Sequence, residues 1–317
     1  MGRPRGARGR AWVRRPPRDY APNVASGLWE IDPGPALPIL AGGFGLLVGS
    51  FLNVVIVRVP AGLSVVSPGS RCPRCGHALA WYENVPLLSW LVLRGRCRAC
   101  GLPISPRYPA VELLVGLLYA ACAVRFGLDW GLLRGFLLVG FLVPLSVIDL
   151  EHWVLPFSLT LPGAMAGLLS AVPLGRDGLL ASVIGAAAGF LFFLGLETLL
   201  RLLLRKEALG AGDKWLMLLV GAYLGWRPLF GVLLLSNLQG ALVGGALLVA
   251  RGRAGPRAPK PGSAATEDGW QPGATHMPFG PFIALAAVEL FLLGPWLAAT
   301  FPGPFVGLVT GEPWSLP

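Results

Sequence analysis

The chain has 317 residues; 54% are hydrophobic and only 13% are charged, about half the charged share of an ordinary soluble protein. Mean hydropathy is +0.65. A soluble domain of this size cannot bury so much apolar surface, and a disordered chain does not carry it, so composition leaves a multi-pass membrane protein. The formal charge of +10 would point to nucleic acid in a soluble chain. In a membrane chain it marks sidedness instead, and no nucleic-acid partner is expected.

Residues 1–36 form an Arg/Pro-rich tail with Arg3, Arg5, Arg8, Arg10, Arg14, Arg15 and Arg18, and its composition predicts disorder. No apolar run of signal-peptide type lies near Met1. Apolar segments follow at 37–59, 109–126, 130–148, 153–173, 178–204, 213–226, 228–250 and 279–301. A bilayer core takes roughly 20 apolar residues per helix. The prediction is therefore an all-α polytopic protein of about eight transmembrane helices, one of them short. It divides into the tail, a first helix at 37–59, a tetracysteine domain at 60–108 and a membrane core at 109–250. A Pro/Gly/Ala-rich flexible loop at 251–278 and a last helix and tail at 279–317 complete it. No repeat period is apparent.

Charge assigns the sides. With the 60–107 loop in the cytoplasm, the turns near 149–153 and 201–214 and the loop 251–278 are cytoplasmic too. Together with Arg58 these hold most of the 26 cations, whereas the outside turns hold Arg125, Arg176 and Arg227. The arginines of the tail oppose this topology, since it puts the amino terminus outside. The basic cytoplasmic loops are expected to attract anionic lipid headgroups.

Four of the five cysteines form Cys72-Pro-Arg-Cys75 and Cys97-Arg-Ala-Cys100. Two such tight turns can close a tetrahedron around Zn²⁺, with no open position and hence a structural role. The alternative is two disulfides, which need an oxidising compartment, whereas the charge pattern puts this loop in the cytosol. His77 reads as a bystander to a filled Cys₄ site, and Cys122, within an apolar helix, as a small buried hydrophobe.

Acids inside a membrane are costly and are functional candidates. Asp149 ends the third predicted helix and Asp213 opens the sixth, both at the cytoplasmic face. Two carboxylates brought together near a low-dielectric boundary share a proton, and one can then serve as base and the other as acid on an attacking water. The alternative is that each merely caps its helix; Gly210-Ala211-Gly212-Asp213 is a natural helix start. Glu112 is expected to pair with Arg107. Glu197, deep in the fifth helix, reads either as a structural hydrogen bond or as a substrate contact, and Glu289 as structural. A transporter or scaffold, with Glu197 and Glu289 as relay sites, is the rival from another class.

These residues carry a resemblance. The chain resembles bacterial type IV prepilin peptidases, a family of membrane aspartic peptidases. Four stretches carry it. The first is Gly49-Ser50-Phe51-Leu52-Asn53-Val54-Val55 with Arg58-Val59-Pro60. The second runs from Ser70-Arg71-Cys72 through Tyr82-Glu83-Asn84-Val85-Pro86 to Ile104-Ser105-Pro106-Arg107-Tyr108-Pro109 and Glu112. The third is Ile148-Asp149 with Leu155-Pro156. The fourth is Gly210-Ala211-Gly212-Asp213 with Gly221-Ala222 and Leu224-Gly225. Pro278-Phe279-Gly280-Pro281-Phe282 is also similar.

The resemblance implies that Asp149 and Asp213 are the catalytic pair, facing the cytoplasm from the bacterial inner membrane. It implies cleavage of a short basic leader ahead of the hydrophobic helix of prepilins or pseudopilins. It further implies N-methylation of the new amino terminus with S-adenosylmethionine as methyl donor, and a cytoplasmic tetracysteine loop. No Rossmann-type glycine pattern locates the methyl-donor site. Two positions depart from the family pattern. Phe157 stands where an accessory aspartate follows Leu-Pro, and Trp215 stands where a lysine is usual, with Lys214 one place earlier.

Overall fold

The structure, a computed structural model, describes residues 34–204, 210, 212–252, 277–301 and 303–311. The predicted tail and most of the 251–278 loop lie outside the described residues. The described residues form ten α-helices: α1 Ala36–Arg58, α2 Leu88–Val92, α3 Arg107–Phe126, α4 Trp130–His152, α5 Phe157–Leu169, α6 Gly175–Leu204, α7 Asp213–Leu224, α8 Leu229–Gly252, α9 Gly280–Thr300 and α10 Pro304–Thr310. Among the described residues there is no strand, only two isolated bridges in the cysteine loop. The all-helical membrane class is as expected.

Each of the eight predicted apolar segments contains a helix. By length and composition, six stretches among the described residues are able to cross a membrane. One of them, Phe157–Leu203, contains both α5 and α6. α7, with 12 residues, extends only about 18 Å and falls below the length of a span. The predicted helix at 153–173 is shorter than expected. Trp153 takes a left-handed φ of 60° and closes α4, Pro156 sets the start of α5, and a 3₁₀ turn at Val172–Leu174 follows it.

Membrane helices gain little from apolar burial against each other, so close approach depends on small residues. Two helix pairs show this. A Cβ at Gly45 would lie 2.8 Å from the Val115 carbonyl oxygen, and one at Gly49 would lie 2.7 Å from the Glu112 Cα, so α1 rests directly on α3. On α6, Gly185 faces Gly221 and Gly225, and a Cβ at Gly189 would lie 2.6 Å from the Met217 carbonyl oxygen. α7 is thereby seated on α6 backbone to backbone. The centre is formed by Leu138, Leu142 and Leu145 of α4, Leu216 and Val220 of α7, and Ile283 and Ala287 of α9. Ile39, Leu117, Leu191 and Leu248 stand exposed around the outside, as a lipid solvent allows.

Contacts between ends fix which termini lie together. Arg107 at the start of α3 pairs with Glu151 at the end of α4, at 2.5 Å. Phe157 at the start of α5 meets Trp215 at the start of α7. Gly280 at the start of α9 meets Asp149. The cysteine loop, between α1 and α3, belongs to this same end. At the opposite end Trp130 Nε1 donates to the Ser170 carbonyl at 2.7 Å, and buried Arg134 donates to the Tyr223 carbonyl at 2.6 Å. That second bond satisfies a carbonyl of the last turn of α7.

Candidate active site and metal centre

Asp149 and Asp213 lie at one end of the bundle, and each is only 6% exposed. α4 delivers Asp149 one turn before its C-terminus, where the Trp153 N–H bonds the Asp149 carbonyl at 3.0 Å. The first amides of a helix lack intrahelical acceptors. Asp149 Oδ2 supplies one for α9, accepting from the Gly280 N–H at 3.0 Å. A Cβ at Gly280 would lie 2.5 Å from that oxygen, so only glycine lets the α9 backbone come so close.

Asp213 opens α7, and its N–H bonds the Gly210 carbonyl at 3.1 Å. Leu155 links the two acids. Its side chain lies against Gly212, where a Cβ would come within 2.7 Å, and against Gly280. The two carboxyl groups are near enough for their charges to interact. The starts of α7 and α9 and the end of α4 thus converge on two buried acids. Such a pair can hold a water between a base and an acid.

The other predicted acids have partners of their own. Glu112 accepts from the Leu87 N–H at 2.8 Å, and Arg107 pairs with Glu151 instead, which corrects the expected Glu112–Arg107 pair. The reason is position: Glu112 lies buried under the loop, while Arg107 sits at the rim. Glu197 is bonded by Lys214 at 2.7 Å and by Arg201 at 3.1 Å, and Glu289 accepts from Gln239 at 2.6 Å. Of the two readings held open for Glu197, the structure supplies the structural bond.

The four paired cysteines come together. Their sulfurs all lie within 4.8 Å of one another, with Cys72–Cys100 and Cys75–Cys97 each at 4.0 Å. Zn–S bonds of 2.3 Å arranged as a tetrahedron put sulfurs about 3.8 Å apart, so the donor set fits a metal ion, and all four thiols are free in the structure. Each pair is closed by a glycine of positive φ, Gly76 at 73° and Gly101 at 68°. The two knuckles are the same structure displaced by 25 positions. Leu79 N–H bonds Ser70 O as Ile104 bonds Gly95, and Cys72 N–H bonds His77 O as Cys97 bonds Leu102. That internal repeat was missed in the sequence, because the two knuckles share little beyond Arg-Cys-x-x-Cys-Gly.

Charge within the cluster matches its geometry. The Cys72 thiol is pushed down to about 6, chiefly by the backbone N–H groups of Cys75 and Arg74. Cys75 accepts a backbone hydrogen bond at His77 that lowers it, yet desolvation and the neighbouring sulfurs push it up to about 11. His77 stays outside the set, as expected, and bonds Glu83 at 3.2 Å. Glu83 is held below the usual carboxylate range by the Ala80 N–H and by His77. Cys122 is fully buried in α3, as expected.

A cavity of about 280 Å³ lies between α1 and the cysteine loop, with Ser50, Phe51, Arg58, Ser70 and Asn84 among its lining. It is at the small end for a ligand site and has no carboxylate to hold ribose hydroxyls or to face a sulfonium, so it does not fit S-adenosylmethionine.

Sequence comparisons agree with this arrangement. Residues 44–126 match the bacterial peptidase A24 N-terminal domain, and residues 136–245 match the type IV leader peptidase family. A prepilin leader peptidase/N-methyltransferase of Myxococcus xanthus is 47% identical over 325 residues, spanning 88% of this chain and 97% of that protein. Proteins of the same name from Aeromonas hydrophila and Stutzerimonas stutzeri are 41% and 38% identical. These alignments span 79% and 81% of this chain, and 89% and 91% of the respective proteins. No solved structure matches. With both of its modules matched and a near full-length relative at this identity, the chain belongs to the type IV leader peptidase family.

Proposed function

We propose that this protein is a membrane aspartic endopeptidase that removes the basic leader from type IV prepilins or pseudopilins, with Asp149 and Asp213 as its catalytic pair. The observation that carries the reading is the convergence of these two buried carboxyls at the end of the bundle that also bears the cysteine loop. In the mechanism, the hydrophobic segment of the precursor lies against the helices and its leader junction reaches the two acids. One carboxylate takes a proton from a water held between them. The other, protonated, donates to the carbonyl oxygen and then to the leaving amine. The two acids titrate as a unit, so the roles belong to the pair. Among the described residues, Arg58, Arg71, Arg74, Arg94, Arg96, Arg98 and Arg107 belong to this end, which supports a cytoplasmic active site in the bacterial inner membrane and contact with anionic headgroups.

Cys72, Cys75, Cys97 and Cys100 hold a structural Zn²⁺ in this reading, cross-linking two knuckles too small to have a core. The segment between the knuckles is tied to the bundle by the Glu112 bond to Leu87, and α1 is tied to the start of α3 by Asn53, whose Nδ2 donates to the Tyr108 carbonyl at 3.0 Å. N-methylation of the new amino terminus, with S-adenosylmethionine as donor, is proposed from the names of the relatives. The experiment is co-expression with a prepilin followed by mass analysis of its amino terminus. Loss of the leader mass supports the peptidase and a further 14 Da, the mass of one methylene, supports the methyltransferase. An intact precursor refutes both.

A further inference from the structure

The two departures from the family pattern, Phe157 and Trp215, are in contact. Their ring centroids are 4.7 Å apart at an interplanar angle of 87°, an edge-to-face pair. Phe190 of α6 also packs on Trp215, at 4.8 Å and 54°. Successive residues of a helix are about 100° apart, so Trp215 lies about 200° round α7 from Asp213. The rings therefore grip the face of α7 turned away from the carboxyl. Lys214, between them, is tied sideways to Glu197 of α6 at 2.7 Å. Phe157 also lies two residues from Leu155, whose side chain rests on Gly212 and Gly280. The first turn of α7 is thus held from behind by rings, from the side by an ion pair and in front by Leu155.

We infer that Phe157 and Trp215 are a single positioning unit, an aromatic clamp between α5 and α7 that sets the Asp213 carboxyl against Asp149. The unit holds by shape and apolar contact, and an ion pair across the same gap can replace it. This inference rests on the peptidase reading above. A misplacement of about 1 Å at a reacting group costs on the order of 10²-fold in rate, so a loosened first turn of α7 acts on the chemical step. Substrate affinity, set by the rest of the bundle, changes little.

The test is a double-mutant cycle on the full-length enzyme in detergent or vesicles, with initial rates of prepilin cleavage resolved into kcat and KM. The variants are Phe157→Asp, Trp215→Lys and the two combined. Each single change is expected to lower kcat by about tenfold or more and to shift KM by less than about twofold. The double variant is expected to return to within about threefold of wild-type kcat, and its activity to fall with added salt as wild-type activity does not. Trp215→Phe, which keeps a ring in the clamp, is expected to stay within about threefold of wild type. Trp215→Leu, which keeps only apolar bulk, is expected to fall with the lysine variant. The clamp is overturned if the double variant is no better than the worse single change, if the single changes raise KM with kcat intact, or if Trp215→Leu cleaves like wild type. Should either charged variant fail to accumulate as a monodisperse protein, the phenylalanine and leucine pair decides alone. Wild-type protein that leaves a prepilin uncut overturns the peptidase reading, and the clamp with it.

Discussion

Asp149 Oδ2 accepts the backbone N–H of Gly280 at 3.0 Å across 131 positions of sequence. The last long helix of the bundle is therefore docked on one of the two candidate catalytic acids. A Cβ at position 280 would meet the same oxygen at 2.5 Å. Gly280→Ala is accordingly expected to move α9 or rotate the carboxyl, and to lower prepilin cleavage by about tenfold or more. Unchanged membrane insertion, read by the yield of detergent-extracted protein, separates this from a folding defect. Wild-type cleavage rates would show that the close approach has no part in the site.

Asp149→Asn and Asp213→Asn keep size and hydrogen bonding but remove acid–base capacity. Each is expected to reduce cleavage by at least about 10²-fold while the protein still inserts. Loss from one variant alone would leave a single-carboxyl mechanism in its place. The readout is the ratio of cleaved to uncleaved prepilin at matched enzyme levels.

The cysteine cluster predicts a metal content of about one zinc per chain, measured by elemental analysis of purified protein. Cys72→Ser or Cys97→Ser is expected to bring it close to zero. The cluster also predicts a pH dependence, with the Cys72 thiol pushed from an ordinary 9.0 down to about 6. The Cys75 thiol is pushed the other way, up to about 11, so protons compete with metal for the set as a whole. Zinc retention against a competing chelator is expected to fall as pH is lowered, because the ligands must be deprotonated. Retention that did not depend on pH under that competition would contradict thiolate ligation.

α7 is seated on α6 through glycines. In Gly189→Ala the added Cβ would lie 2.6 Å from the Met217 carbonyl oxygen, which is backbone and cannot turn aside. A cost of about 1–3 kcal/mol is expected, visible as a lower Tm in detergent. Gly195, whose Cβ would meet nothing, is the matched control and should tolerate alanine.

Much of this arrangement was legible in the sequence, for reasons that differ by element. The helices could be read because a lipid solvent demands long apolar runs, and α1, α3, α4, α6, α8 and α9 lie within a few residues of their predicted bounds. The Cys₄ set could be read because metal ligation imposes a local spacing that survives loss of everything around it. Asp149 and Asp213 stood out as acids at helix ends, although nothing in their spacing required them to meet. The expected Glu112–Arg107 pair failed because a helix entrance does not say which way two side chains turn.

What the sequence determined by itself was the membrane class, the rough limits of the helices, the metal knuckles and the short list of acids, all set by solvent and by local covalent reach. The tertiary structure alone decided the pairings: Asp149 with Gly280, Leu155 between Gly212 and Gly280, Lys214 with Glu197, and Phe157 with Trp215. Each joins positions on different helices. Which residues meet there depends on how closely helix backbones approach, and that distance is fixed by small residues spread over the whole chain.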